Sequence, residues 1–135
     1  MLKRAIEDFK GRKHIEKEHS KADMHYIRKL QESLREDLLY AMNTFYSLRS
    51  LLQRRVDIAE ELHIEDRFLL IKCNELLEEL NRISKKLSKY SDSKSIKCVK
   101  FKDMYNVYLL ISETNRTISI TRSYISQLTK YTNFE

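Results

Sequence analysis

Four histidines, two cysteines and several paired carboxylates are the residues of this 135-residue chain whose chemistry could extend beyond packing. An enzyme would need them as a nucleophile with its base, as carboxylates sharing a pocket, or as metal ligands at helical spacing. His14, His19, His25 and His63 all stand in or beside charged stretches. His14 and His19 are five positions apart and face differently on a helix, and Lys29 occupies the position four beyond His25 where a second ligand would stand. The histidines therefore read as exposed surface residues. The carboxylate pairs Glu60/Glu61, Glu65/Asp66 and Glu78/Glu79 resemble those of helical di-iron bundles only superficially and read as solvated faces. Cys73 falls on an apolar stripe and is expected to be a small buried hydrophobe. Cys98 lies among lysines that would lower its thiol pKa, which marks it as the more reactive of the two. The single glycine, Gly11, cannot build a phosphate-cradling loop, and the triplet Asn115-Arg116-Thr117 matches a glycosylation acceptor by a pattern that is common by chance. No catalytic, metal or cofactor site is assigned from these residues.

One stretch carries a stronger signal. "SKKLSKYSDSKSIKCVKFK", Ser84 to Lys102, holds seven lysines against one acid, Asp92, for a net charge equal to the +6 of the whole chain. With Arg82 added, the candidate anion-binding residues are Arg82, Lys85, Lys86, Lys89, Lys94, Lys97, Lys100 and Lys102. A basic end of a helix complements the helix dipole, which accounts for Lys85 to Lys89 but not for the lysines beyond the loop. An anionic partner would be a membrane surface, worth about 1 kcal/mol per lysine brought near it, or an acidic protein. Nucleic acid ranks below these, because arginine is scarce in the patch and no reading helix is recognisable. Ser84, Ser88, Ser91, Ser93 and Ser95 lie within the stretch, where phosphorylation would cancel its charge.

The elements that must position these residues are helices. Proline is absent and glycine occurs once, so the usual turn formers are nearly missing. Ile27, Leu30, Leu34, Leu38, Ala41, Phe45, Leu48, Leu52, Val56, Ala59 and Leu62 recur at steps of three and four, which predicts one coiled-coil-like helix from about Lys21 to Leu62, on the order of 60 Å long. Leu39, Met42, Tyr46, Leu51 and Ile58 widen its stripe, so it should touch more than one neighbour. Leu69, Cys73, Leu76, Leu80, Ile83, Leu87 and Tyr90 predict a second long helix, with a turn near His63 to Asp66 because Asp66 could cap it. A third, from about Phe101 to Tyr131, keeps Val107, Ile111, Thr114, Ile118, Thr121, Ile125 and Leu128 in step. Its two threonines should weaken the seam, and "RTISITRS" also alternates as a strand would, although no sheet partner exists for it. Residues 1–20 carry a thin stripe broken by Gly11 and read as a short or frayed helix, and 91–100 read as a basic loop.

The expected fold is all-α: a single domain, an elongated antiparallel bundle of three long helices plus a short N-terminal one. The opening residues mix acids and bases without an apolar core, which argues against a secretory signal and favours a cytoplasmic or nuclear address with reduced thiols. Leu34, Leu38, Phe45, Leu48 and Leu52 are the expected packing or dimerisation residues, homodimerisation being one way to cover so long an apolar helix.

The layout of a long heptad-like helix, a second long helix and a basic tip resembles the BAR domains, crescent-shaped dimers that sense membrane curvature. It is a resemblance of pattern: the chain is shorter than those domains, has no proline to kink its helices and carries no residue motif of theirs. The length and helix count also suit a helical cytokine, which would allow a Cys73 to Cys98 disulfide. The first expectation for function is a non-enzymatic scaffold or adaptor working through protein–protein interaction and self-association, with no small-molecule substrate. The second is a peripheral module whose basic turn binds anionic membrane or, less so, nucleic acid.

Overall fold

A computed structural model describes residues 21–90 and 99–132, and every regular element among them is helical. Helix α1 spans Lys21–Glu61, α2 spans Arg67–Leu87 and α3 spans Met104–Thr132. Short 3-10 turns, Ser88–Tyr90 and Phe101–Asp103, follow α2 and precede α3. The N-terminal helix expected over 1–20, and 91–98 of the basic loop, lie outside the described residues.

Because "LHIEDRF" contains neither glycine nor proline, the break after α1 has another cause. His63 adopts a left-handed φ of 52°. Its N–H donates to the Glu60 carbonyl at 3.1 Å, and the N–H of Ile64 donates to the Ala59 carbonyl at 3.3 Å. This is a Schellman ending with histidine where glycine usually stands, and Ile64 folds inward to be buried with Ala59. Asp66 then starts α2, its Oδ1 accepting from the N–H of Leu69 at 3.0 Å. The expected turn and cap are both found.

Interhelical bonds give the directions. Asn74 on α2 donates to Glu60 near the end of α1, while Arg49, farther back on α1, donates to Asn81 and Ser84 on α2, so these two helices are antiparallel. Gln31 donates to the Val99 carbonyl just before α3, and the Tyr131 hydroxyl near its end donates to Asp66 at 3.5 Å. Helix α3 therefore runs parallel to α1, and their interface is the most extensive among the described helices. With 41 residues against 21, α1 outruns α2 by about 30 Å. Val99, Tyr90 and Phe101, from either side of the loop, pack on the core together with Leu87 and Met104.

The core is made by the stripes read from the sequence. Leu34, Leu38, Phe45, Leu52, Leu80, Ile83, Leu87, Val107 and Leu128 are fully buried. The α3 stripe contains more threonine than its pattern promised, with Thr114, Thr117, Thr121 and Thr132 all buried. Each hydroxyl donates to the carbonyl four residues earlier, at 2.7 to 3.0 Å, which satisfies the polar atom within the helix. The same back-bonding settles "RTISITRS" as helix.

Candidate functional site

The basic turn divides into two classes of cation. On α2, Arg82, Lys85, Lys86 and Lys89 fall within about 100° of arc on the outer surface. Arg82 donates to Glu79 on its own helix and to Glu113 on α3. Lys86 Nζ lies 3.2 Å from the other oxygen of Glu113. These two cations clamp α2 to α3. The hydrogen bond from Arg82, followed by that from Lys86, holds the Glu113 carboxyl below its ordinary value of 4.5, and Arg82 does the same to Glu79. The two carboxylates push the guanidinium of Arg82 further up in turn. By contrast Lys85, Lys89, Lys100 and Lys102 are exposed and make no ion pair among the described residues. Lys94, Lys97, Cys98 and three of the five serines lie outside the described residues.

The candidate dimerisation residues are placed differently from the lysines. Leu34, Leu38, Phe45 and Leu52 are buried inside the single chain, and Leu48 is half-buried at the margin of the same core. Leu34, Leu38, Phe45 and Leu52 pack α1 within its own bundle, and Leu48 keeps part of its surface outside that core. The large apolar side chains left exposed are others: Phe68 at 69%, Ile71 at 56% and Leu62 at 45% around the α1–α2 turn, with Leu109 and Ile120 along α3 and Leu39 and Tyr40 on α1.

Between α2 and α3 runs an open groove. One part, of about 540 Å³, lies among Leu76, Arg82, Glu113, Arg116 and Ile120. Beyond Glu113 a second part, of about 410 Å³, is bounded by Lys86, Lys89, Tyr90, Asn106 and Leu109. Neither is lined by a histidine or a cysteine; the first part also holds the hydroxyls of Ser112 and Thr117, the latter donating to the Glu113 backbone carbonyl at 2.9 Å.

Cys73 is buried, and its thiol is pushed up to about 11 by burial and by the nearby charge of Asp66. It is a core residue, as its place on the stripe implied. His25 and His63 are exposed. The spacing Glu-x-x-His does occur in the chain, at Glu16–His19 and Glu60–His63. The first lies outside the described residues, and in the second Glu60 accepts from Asn74 while His63 forms the helix ending. Among the described residues no group of three or more histidines, cysteines or acids could hold a metal ion, and no helix is long and apolar enough to cross a membrane.

Sequence reasoning missed Glu113 and Arg49. Glu113 has a cation three residues on, Arg116, which would be its expected local partner. It pairs instead with Arg82 and Lys86, 31 and 27 residues away. Nothing in the local pattern points to that pairing. No protein-family model, curated protein or solved structure matches this chain.

Proposed function

We propose that the protein is a non-enzymatic helical scaffold or adaptor, an elongated antiparallel bundle that acts through protein–protein interaction. The observation that carries this reading is the set of large apolar side chains left outside a filled interior, Tyr40 on α1 and the cluster Phe68, Ile71 and Leu62 around the α1–α2 turn being strongly exposed. Large apolar surface in contact with water favours association, because covering it returns roughly 25 cal/mol per Å². Self-association remains part of the proposal, through these outer residues and not through the interior leucines. The test is quantitative affinity purification of the tagged chain beside a Phe68→Ser/Ile71→Ser variant, with light scattering on both. Partners or oligomers lost from the variant support an adaptor working through this surface. A monomer with no enriched partner sinks the reading.

The second reading is a peripheral module on anionic membrane, BAR-like in its basic turn, with nucleic acid behind it. It is favoured by the four exposed lysines that make no ion pair among the described residues, Lys85, Lys89, Lys100 and Lys102. Sedimentation with phosphatidylserine vesicles at low and moderate salt tests it, using charge reversal at Lys89, Lys100 and Lys102. Vesicle binding that survives charge reversal would exclude the turn as the site.

A further inference from the structure

The two ends of α2 carry opposite charge. At its start, residues 57–66 hold Asp57, Glu60, Glu61, Glu65 and Asp66 and no lysine or arginine, and with Arg67, the next residue, the local net charge is −4. None of these five carboxylates makes an ion pair among the described residues. At the other end, the described residues between 85 and 103 hold five lysines against a single acid, Asp103. Four of those lysines, Lys85, Lys89, Lys100 and Lys102, are exposed and make no ion pair among the described residues. Helix α2 holds the two ends about 30 Å apart.

The acidic end is also the apolar one. Leu62, Phe68 and Ile71 are exposed there, and the Phe68 ring is 69% exposed although Lys72 Nζ stands 5.3 Å from its centre. An aromatic face among carboxylates attracts lysine twice over, through the ring and through the charge. The chain carries that chemistry at its other end, where Tyr90 follows Lys89, and Phe101 stands between Lys100 and Lys102, both rings half-buried. Like ends repel: two copies meeting turn to turn would set carboxylate against carboxylate, or lysine against lysine. An anionic bilayer would take the lysines and leave Phe68 and Ile71 in water. Contact between unlike ends serves both surfaces. The net +6 of the chain does not prevent it, because the Debye length at physiological ionic strength, about 8 Å, is far shorter than α2, so local charge governs the encounter. We infer that the acidic α1–α2 turn of one copy docks on the lysine-bearing α2–α3 end of a second copy, head to tail. Such a contact is heterologous and leaves one free surface of each kind, so it extends into a chain of copies or closes as a ring. This inference rests on the self-association within the adaptor reading and names both of its faces.

The experiment is sedimentation velocity of the full chain over a concentration series at about 0.05 M and about 1 M salt. It compares wild type with Glu61→Lys/Glu65→Lys and with Lys89→Glu/Lys100→Glu/Lys102→Glu. All five positions are exposed, and thermal melts followed by circular dichroism check that each variant is folded. The expected result is a wild-type sedimentation coefficient that rises with concentration at low salt, with association at least about tenfold weaker at high salt and in either variant alone. Mixing the two variants should restore association, since the intact turn of one meets the intact lysines of the other. Association that ignores salt, that survives either variant, or that does not return on mixing overturns the contact. A wild type that stays monomeric at every concentration overturns it too, and loss of phosphatidylserine-vesicle binding by the lysine variant of such a monomer assigns the lysines to membrane instead. The adaptor reading falls with it only if affinity purification also returns no partner.

Discussion

Glu113 is the only acid of α3, and it meets two cations of α2. Replacing it by glutamine keeps the shape and removes the charge. Because the pair is partly exposed and screened by solvent, Glu113→Gln should lower stability at neutral pH by only about 0.5 kcal/mol in urea unfolding. The sign of the pH dependence follows from the depressed carboxyl: its contribution is fully present above the ordinary value of 4.5 and is lost as pH falls through the lower folded value. The gap between variant and wild type should therefore close in acid, and a gap that persisted would assign the effect to packing. Cys73 makes a second residue-scale case. With its thiol at about 11, about one molecule in a thousand is ionised at pH 8. In a Cys98→Ser background a disulfide reagent should label Cys73 slowly in the native protein and rapidly in denaturant. Rapid native labelling would show that the core opens there.

At the scale of elements, the α1–α2 connection stands on a residue poorly suited to its backbone. A left-handed φ costs a residue with a Cβ roughly 1 kcal/mol, which glycine does not incur. His63→Gly should therefore stabilise the protein by about 0.5 to 1 kcal/mol in guanidinium unfolding, less the extra freedom that glycine gives the unfolded chain. A destabilised His63→Gly would mean that the imidazole itself holds the turn. Helix α3 shows how an element tolerates a polar stripe: threonine hydroxyls that return to the preceding turn leave their methyl groups for the core.

For the whole molecule the distinction that matters is between an interior and an interface. Leu38 is completely buried within one chain. Leu38→Ala should cost about 3 kcal/mol, with an unfolding midpoint that does not depend on protein concentration. A midpoint that rises with concentration would show that α1 is covered by a second copy after all. The charge of the molecule is likewise divided by its fold, since Arg82 and Lys86 are used between helices while Lys85, Lys89, Lys100 and Lys102 are exposed and make no ion pair among the described residues.

The sequence by itself determined the three helices, the stripes they bury, the Asp66 cap and the place of the first turn, because helical period and capping are local and a run of three or four residues expresses them. It did not determine which stripe meets which. That α1 lies parallel to α3, that Leu34, Leu38 and Leu52 of α1 are buried inside the chain, and that Glu113 takes Arg82 and Lys86 in place of its neighbour Arg116 are products of contacts across tens of residues. Packing of three amphipathic faces around one axis decides those contacts, and no single segment contains the information. The end of α1 shows the same division within one turn: the backbone bonds of its Schellman ending are local, while the burial of Ile64 beside His63 is a tertiary contact.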